Sequence, residues 1–489
     1  MPGFQSRWST TPRRHPKSTP LSRYWKDTPP FSAMRSHPVA NVIYSALCEV
    51  TGDEICNPIR LCISPNASVM HLSSAGGWKD RSPVSSFWNL NDDTAEGFQS
   101  ANIDVGLKGI VYHSVIEDDR KLIWVADEDR VKSFAWPNTS TSDQKALPMH
   151  TLDSPCRGPL HATNDRVFRA GKGFAATWKI DELETHGPDG DNAIGQMDGG
   201  SDGEDEDEND IEHSKGSQST ARVTFSNTSL EPSYWAPHPS KAGHMLCVSD
   251  SARSEVYSCH ALDLESGKIV DNYLGHGGTV NNISTSAADP NVFLTSSDDG
   301  YVRLFDTRHH LPVLTLNVGK SSDGCDAAVL CHPDGVPSIF TGSGKTEHIT
   351  LWDVRAKTAC YELATGNNAV HSMVWDSARN TLYAATECRY IDRLGRNYDY
   401  RPARIPRDQR GRYGADDDGN DDDEDLEDDD EDLEDDRAWP KDAFHGESYF
   451  GYTFDAARHT IFKYHFKADA NTDIVPEDGQ ATVGDGDGW

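Results

Sequence analysis

Residues 275–308 read GHGGTVNNISTSAADPNVFLTSSDDGYVRLFDTR. Two short strand patterns lie inside this stretch, joined by a Ser-Ser-Asp-Asp-Gly turn in which Asp299-Gly300 supplies the tight bend. In the second pattern the period of two places Val302 and Leu304 on one face. In the first, the small hydroxyl residues of Phe293-Leu294-Thr295-Ser296-Ser297 allow neighbouring sheets to come close. The stretch predicts part of a small antiparallel sheet whose third strand ends at Phe305-Asp306.

The same kind of strand end recurs along the chain. With Phe305 as reference, equivalents are read at Phe87, Phe134, Trp178, Cys259, Trp352 and Tyr464. Most are separated by about 44–47 residues, the period of a four-stranded propeller blade. Two gaps are larger, and each contains an acidic low-complexity insert. Seven landmarks near one period predict an all-β, seven-bladed propeller, a fold that closes on itself and leaves no long exposed sheet edge. Residues 40–50 (ANVIYSALCEV) form an apolar strand pattern ahead of the first blade. They are expected to close the ring as the outer strand of the last blade.

Gly275 and His276 at the start of the stretch, Asp299 in its turn and Asp306 at its end resemble the WD40 repeat, with Phe305 where that family carries Trp. The resemblance implies that His276 and Asp299 belong to a buried hydrogen-bonded network, which Phe305 cannot complete as a donor. A structural role for His276 is therefore expected rather than catalysis or metal binding. A further motif occurs twice, in successive repeats: residues 293–308 (FLTSSDDGYVRLFDTR) and 340–355 (FTGSGKTEHITLWDVR). Both end in aromatic-Asp-x-Arg and resemble the box of WD-repeat substrate receptors of cullin-4 RING ubiquitin ligases. The resemblance implies docking onto the ligase adaptor through Asp306 and Arg308 in one copy and Trp352, Asp353 and Arg355 in the other. The simpler alternative is ordinary repeat chemistry, with each arginine ion-paired at the surface. An arginine at a strand end on the rim offers a planar, permanently charged fork to a partner.

The formal net charge is −33, and it is concentrated in two places. Residues 416–436 hold 17 acids and residues 202–212 hold 8, with no base in either run. With these set aside, the remainder carries about −8. The division expected is a basic disordered arm over 1–39, a propeller over 40–470 carrying acidic inserts at 182–220 and 389–446, and a disordered tail over 471–489. The first insert leaves between third and fourth strands of its blade. The second follows the strand pattern 381–386 and leaves from the opposite face if the next strand is 459–466; residues 449–454 are the competing candidate for that second strand. Each insert reads either as a solvated loop or as a docking site for basic partners such as histones. Arg401, Arg404, Arg407, Arg410 and Arg412 ahead of the second acidic run form a weak nuclear-import pattern, so nucleus and cytoplasm are the expected compartments.

The ten cysteines are scattered without Cys-x-x-Cys spacing, so neither a zinc site nor a redox motif is signalled. No stretch approaches the roughly 18 apolar residues of a membrane-spanning helix. A Gly-x-Ser-x-Gly elbow and a His-Glu-x-x-His motif are both missing from the sequence. The run Gly342-Ser343-Gly344-Lys345-Thr346 lacks the first glycine of a phosphate loop and lies between strand patterns, so it reads as a turn. The acidic body disfavours nucleic acid as a partner. These observations lead to a non-catalytic protein-interaction scaffold with no cofactor, no metal and no catalytic residue. The alternatives are a histone-handling scaffold and a propeller hydrolase.

Overall fold

The computed structural model of the chain describes residues 48–91, 100–137, 145–163, 165–197, 212, 214–249, 257–318, 324–335, 337–344, 347–355, 357–392, 394–402, 438–440 and 456–466. Among these, seven four-stranded antiparallel sheets form, six of them from strands consecutive in the chain. Blade 1 takes Asn57–Ile63, Val69–Gly76, Ser82–Asn89 and Ala101–Ile103. Blade 2 takes His113–Glu117, Leu122–Ala126, Arg130–Ala135 and Leu147–Asp153. Blade 3 is Leu160–Ala162, Arg166–Gly171, Phe174–Lys179 and Ala221–Thr224, and blade 4 is Pro232–Pro237, His244–Ser249, Cys259–Asp263 and Lys268–Tyr273. Blade 5 holds Val280–Thr285, Val292–Ser297, Tyr301–Asp306 and Leu314–Asn317; blade 6 holds Ala327–Cys331, Ser338–Gly342, His348–Asp353 and Thr358–Ala364.

Blade 7 is assembled from both ends of the chain. Its sheet runs Ala369–Asp376, Thr381–Glu387, Thr460–Phe466 and then Cys48–Glu54 outermost, with Cys48 opposite Phe466 and Glu54 opposite Thr460. The N-terminal strand therefore takes the outer place expected of it, over Cys48–Glu54; residues 40–47 of the expected strand lie outside the described residues. The pairing of Thr381–Glu387 with Thr460–Phe466 makes 381–387 the second strand of this blade; the competing candidate 449–454 lies outside the described residues.

The core lies between blades. Val302, Leu304 and Leu294 face blade 6, where they meet Leu330, Ile339 and Trp352. Phe293 and Phe305, on the opposite face of the same sheet, meet Leu246, Val248 and Tyr273 of blade 4. The alternation read from the sequence is thus what divides each blade's side chains between its two neighbours. Trp124 and Trp178 fill the contact of blades 2 and 3, and Phe340, Trp375 and Phe466 that of blades 6 and 7. Each such buried ring contributes on the order of 2 kcal/mol by leaving water.

The ladder registers correct two of the landmark positions. Phe305 and Trp352 pair with the second residue of the preceding strand, Phe293 and Ile339. By the same rule Phe134, Trp178 and Tyr464 are in register. In blade 4 the equivalent is Leu262, opposite Met245, not Cys259. In blade 1 it is Trp88, opposite Met70, not Phe87, which points to the neighbouring interface. In both blades two apolar candidates stand close together, and spacing alone does not choose between them.

Candidate interaction site

The blades' first strands surround a central cavity of about 720 Å³. Strands of six blades line it, and Arg157, in the connection ahead of blade 3, adds to its wall. In blades 1, 4, 5 and 7 the first strand carries a bulge, between Pro58 and Arg60, Pro232 and Tyr234, Val280 and Asn282, and Val370 and Ser372. A bulge re-aims the residue that follows it. Here those residues are Arg60, Tyr234, Asn282 and Ser372, all lining the cavity. The Arg60 guanidinium lies over the Tyr234 ring at 4.2 Å from its centroid, joining blades 1 and 4 across the axis. The Tyr234 hydroxyl donates to Asn282 Oδ1 at 2.9 Å, and Asn282 Nδ2 donates to the Ala328 carbonyl at 2.8 Å.

Asp306, Arg308, Asp353 and Arg355 sit where the third strands of blades 5 and 6 end. The positions are equivalent in adjacent blades, so both arginines leave the ring on the same face. Asp306 accepts the Arg308 backbone N–H at 3.0 Å, and its side-chain Nε and Nη2 at 2.8 and 2.5 Å. That contact holds the Asp306 carboxyl well below the usual carboxylate range. The Arg308 side chain stays 72 % exposed. Asp353 accepts the Arg355 backbone N–H at 2.8 Å, with Arg355 Nε 3.7 Å from Asp353 Oδ1 and the arginine side chain 42 % exposed. Trp352 is not a rim residue: it is buried, and its indole N–H donates to Thr341 Oγ1 at 2.8 Å.

The repeat-signature residues meet in blade 5 with a changed connectivity. His276 Nε2 is 2.9 Å from Thr295 Oγ1, and the imidazole stacks on Phe305 at 5.5 Å. Burial, with the Arg303 charge next, pushes the His276 pKa down to about 4. Asp299 accepts from Arg303 Nη1 and Nη2 at 3.0 and 2.6 Å and from the Gly277 N–H at 2.6 Å. Burial raises the Asp299 carboxyl, but Arg303 and Gly277 outweigh it and hold it low. Sequence reasoning missed Arg303, which is 6 % exposed in a strand where an inward arginine carries no distinct signal. Gly275, with φ +112°, packs near Pro312 and turns the chain into the blade.

The first insert has a fixed foot. Of residues 182–220, the structure describes 182–197, 212 and 214–220. Ser217 bridges Leu152 in parallel on the outer strand of blade 2, and Met197 bridges Ser214. Glu212, counted in sequence among the insert's acids, is anchored: Lys132 Nζ lies 2.7 Å from its Oε2, Thr151 Oγ1 donates to it at 2.7 Å, and Ser214 Oγ donates to Oε1. The other acids of 202–212 lie outside the described residues. So do the acids of 416–436, Arg404, Arg407, Arg410 and Arg412, the arm 1–39 and the tail 471–489. The base of the second insert closes in a two-stranded ribbon of Tyr400–Pro402 with Ala438–Pro440.

For hydrolytic chemistry the relevant pairs are Ser286 with His332 and Cys62 with His71. Ser286 Oγ lies 2.8 Å from His332 Nδ1, but the nearby Asp289 carboxylate accepts from Asn291 at 3.0 and 3.1 Å. Burial lowers the His332 pKa. Cys62 Sγ is 3.8 Å from His71 Nδ1. Burial pushes the Cys62 thiol up and His71 down to about 3, the reverse of an activated nucleophile and its base. Among the described residues, no group of three or more His, Cys, Asp and Glu could hold a metal ion.

A scan against family models finds none that matches. WD repeat-containing protein 1 of Bos taurus is 28 % identical over 133 residues, covering 27 % of this chain and 21 % of that protein. Polycomb protein EED of Chaetomium thermophilum is 26 % identical over 124 residues, 24 % of this chain and 21 % of that one. The chain spans about a fifth of the length of the curated relatives it matches. Among solved structures, the WD40 beta propeller domain of Doa1 covers 69 % of this chain and 91 % of that one at 13 % identity, with a TM-score of 0.44. Seven four-stranded blades make the chain a seven-bladed β-propeller, similar over about a quarter of its length to a WD repeat-containing protein and carrying in blade 5 the Gly-His and Asp positions by which it resembles that repeat.

Proposed function

We propose that this propeller is a non-catalytic protein-interaction scaffold, and that it serves as a substrate receptor docked onto a cullin-4 ubiquitin ligase adaptor. The observation that carries the finer reading is the repeated Asp-x-Arg geometry. In two adjacent blades an aspartate at the strand end accepts the backbone N–H of the arginine two residues later and pairs with its guanidinium, while the arginine side chain stays accessible. An arginine oriented before binding loses less freedom on binding than a free one. Asp306 and Asp353 act as positioning residues, Arg308 and Arg355 as the contacting pair, and Trp352 as the buried support of its strand.

The test is an affinity pull-down from the source cell with wild type and an Arg308→Ala, Arg355→Ala double variant of verified fold. The expected result is recovery of the cullin-4 adaptor by the wild type and its loss from the variant. Equal recovery by both, or recovery by neither, removes the receptor reading and returns the boxes to ordinary repeat chemistry.

One observation favours a second reading, a scaffold that gathers histones or other basic clients. The first acidic run is tied to blade 2 at Glu212 by Lys132, and the Met197–Ser214 bridge draws the two described flanks of the insert together. Binding of this kind weakens with added salt and on deletion of 416–436.

A further inference from the structure

The Arg, Asp and His side chains that line the central cavity are Arg60, Arg157, Asp326, His113 and His371. Four of them are engaged by protein groups. Arg157 Nη2 pairs with Glu128 at 2.6 Å, and Asp326 accepts the Gly344 N–H at 2.6 Å. His113 Nε2 lies 3.0 Å from the Arg157 carbonyl, and His371 Nε2 lies 2.8 Å from Glu387 Oε2. Of these five, Arg60 alone has neither an ion pair nor a side-chain hydrogen bond among the described residues. Its one recorded partner is the face of Tyr234.

A guanidinium stacked on a ring keeps its in-plane N–H donors free, and those donors form the fork that matches a carboxylate. The stack is itself held. Tyr234 is fixed by Asn282, and Asn282 by the Ala328 carbonyl, so residues of blades 4, 5 and 6 set the platform on which the blade 1 arginine rests. The bulge before each of Arg60, Tyr234 and Asn282 turns these side chains to the axis at equivalent places in their blades. The uncompensated charge is felt nearby: the His113 pKa is depressed by burial first, then by Arg169 and Arg60.

We propose that the central channel is a binding site for an acidic polypeptide segment, with Arg60, stacked on Tyr234, receiving an Asp or Glu carboxylate of the client. The site rests on the scaffold reading only in taking its ligand to be a polypeptide, and it does not depend on the rim arginines. A cavity of about 720 Å³ accommodates a few residues of such a segment, not a folded domain.

The test is calorimetric titration of the purified full chain at about 0.15 M salt. The probes are an acetylated and amidated hexapeptide of alternating Glu and Asp, its Gln/Asn counterpart, and inorganic phosphate as competitor. The expected result is binding of the acidic peptide, competition by phosphate, and at least about tenfold weaker binding both for the amide peptide and for Arg60→Met. Tyr234→Leu, which keeps the charge and removes the platform, should weaken binding about threefold. Unchanged affinity in Arg60→Met, or equal binding of the amide peptide, overturns the proposal. So does phosphate binding with no peptide binding, which would make the site one for a free ion. Should Arg60→Met fail to fold, Arg60→Lys replaces it, keeping the charge without the fork, with an affinity loss expected and none overturning. The Arg308→Ala, Arg355→Ala variant should titrate as wild type, so failure of the rim reading and failure of the channel reading are seen separately.

Discussion

Phe305 and Trp352 occupy the same position in neighbouring blades, yet their surroundings differ in a compensating way. Opposite Trp352 stands Ile339; opposite Phe305 stands Phe293, stacked on it at 5.1 Å. One large and one small side chain in blade 6 become two of middle size in blade 5. The substitution also removes the indole donor that Thr341 accepts in blade 6, leaving Thr295 to His276. Phe305→Trp alone should overpack the site and cost about 1–3 kcal/mol. Phe293→Ile with Phe305→Trp should recover most of that loss, because the volume is restored and Thr295 regains a donor. A double-mutant cycle read by denaturant unfolding checks this, with a favourable coupling of about 1 kcal/mol or more expected. Additive single changes would show that packing, not the exchange, sets the pair. The departure from Trp was visible in the sequence. Its compensation was not, because Phe293 reads as any strand residue until the register is known.

At the scale of the element, the foot of the first insert shows why composition misleads. Glu212 ends a run of acids and reads as one more solvated charge, yet its side chain is only 14 % exposed beside a Lys132 at 6 %. Lys132 lies some 80 residues earlier, and only the fold brings the two together. Burial raises the Glu212 carboxyl, and Lys132, Ser214 and Thr151 outweigh it, so the folded value lies below the ordinary one of 4.5. A carboxyl depressed by folding contributes stability above its unfolded value and loses it as the pH falls through the folded one. Glu212→Gln leaves Lys132 buried without a counter-charge and should cost about 2–3 kcal/mol near neutrality, less than a fully buried pair because the site is partly wet. The difference from wild type should shrink as the pH drops below the ordinary glutamate range. Melting temperatures of both proteins at about pH 7 and about pH 3.5 check the sign. A difference that grows in acid would mean that the carboxylate is not what Lys132 relies on.

For the whole molecule, the period of the strand ends was enough to count seven blades, because each blade must supply one aromatic or apolar residue to its neighbour. It was not enough to place all seven. Leu262 and Trp88 were passed over for Cys259 and Phe87, since a shift of one to three residues leaves the period nearly unchanged. The rim arginines were legible as a repeated motif. The channel was not, because bulges that turn Arg60, Tyr234 and Asn282 inward follow no simple alternation. Ring closure makes a direct prediction. A chain beginning at residue 55 should melt on the order of 10 °C below one beginning at residue 47, since it leaves the Thr460–Phe466 edge unpaired. A synthetic peptide of residues 48–54 should restore part of the loss when added in trans. Equal melting of the two chains would mean that the outer strand is decoration rather than closure.

The same closure bears on how the protein is made. A ribosome delivers Cys48–Glu54 first and its partner Thr460–Phe466 some four hundred residues later. At usual elongation rates of about 5–20 residues per second, the wait is tens of seconds. Throughout that time blade 1 has a neighbour on one side only, and the early strand is an open edge that any nascent chain on the same message could pair with. Synthesis, rather than the finished ring, is therefore the stage at which this molecule most needs a chaperone.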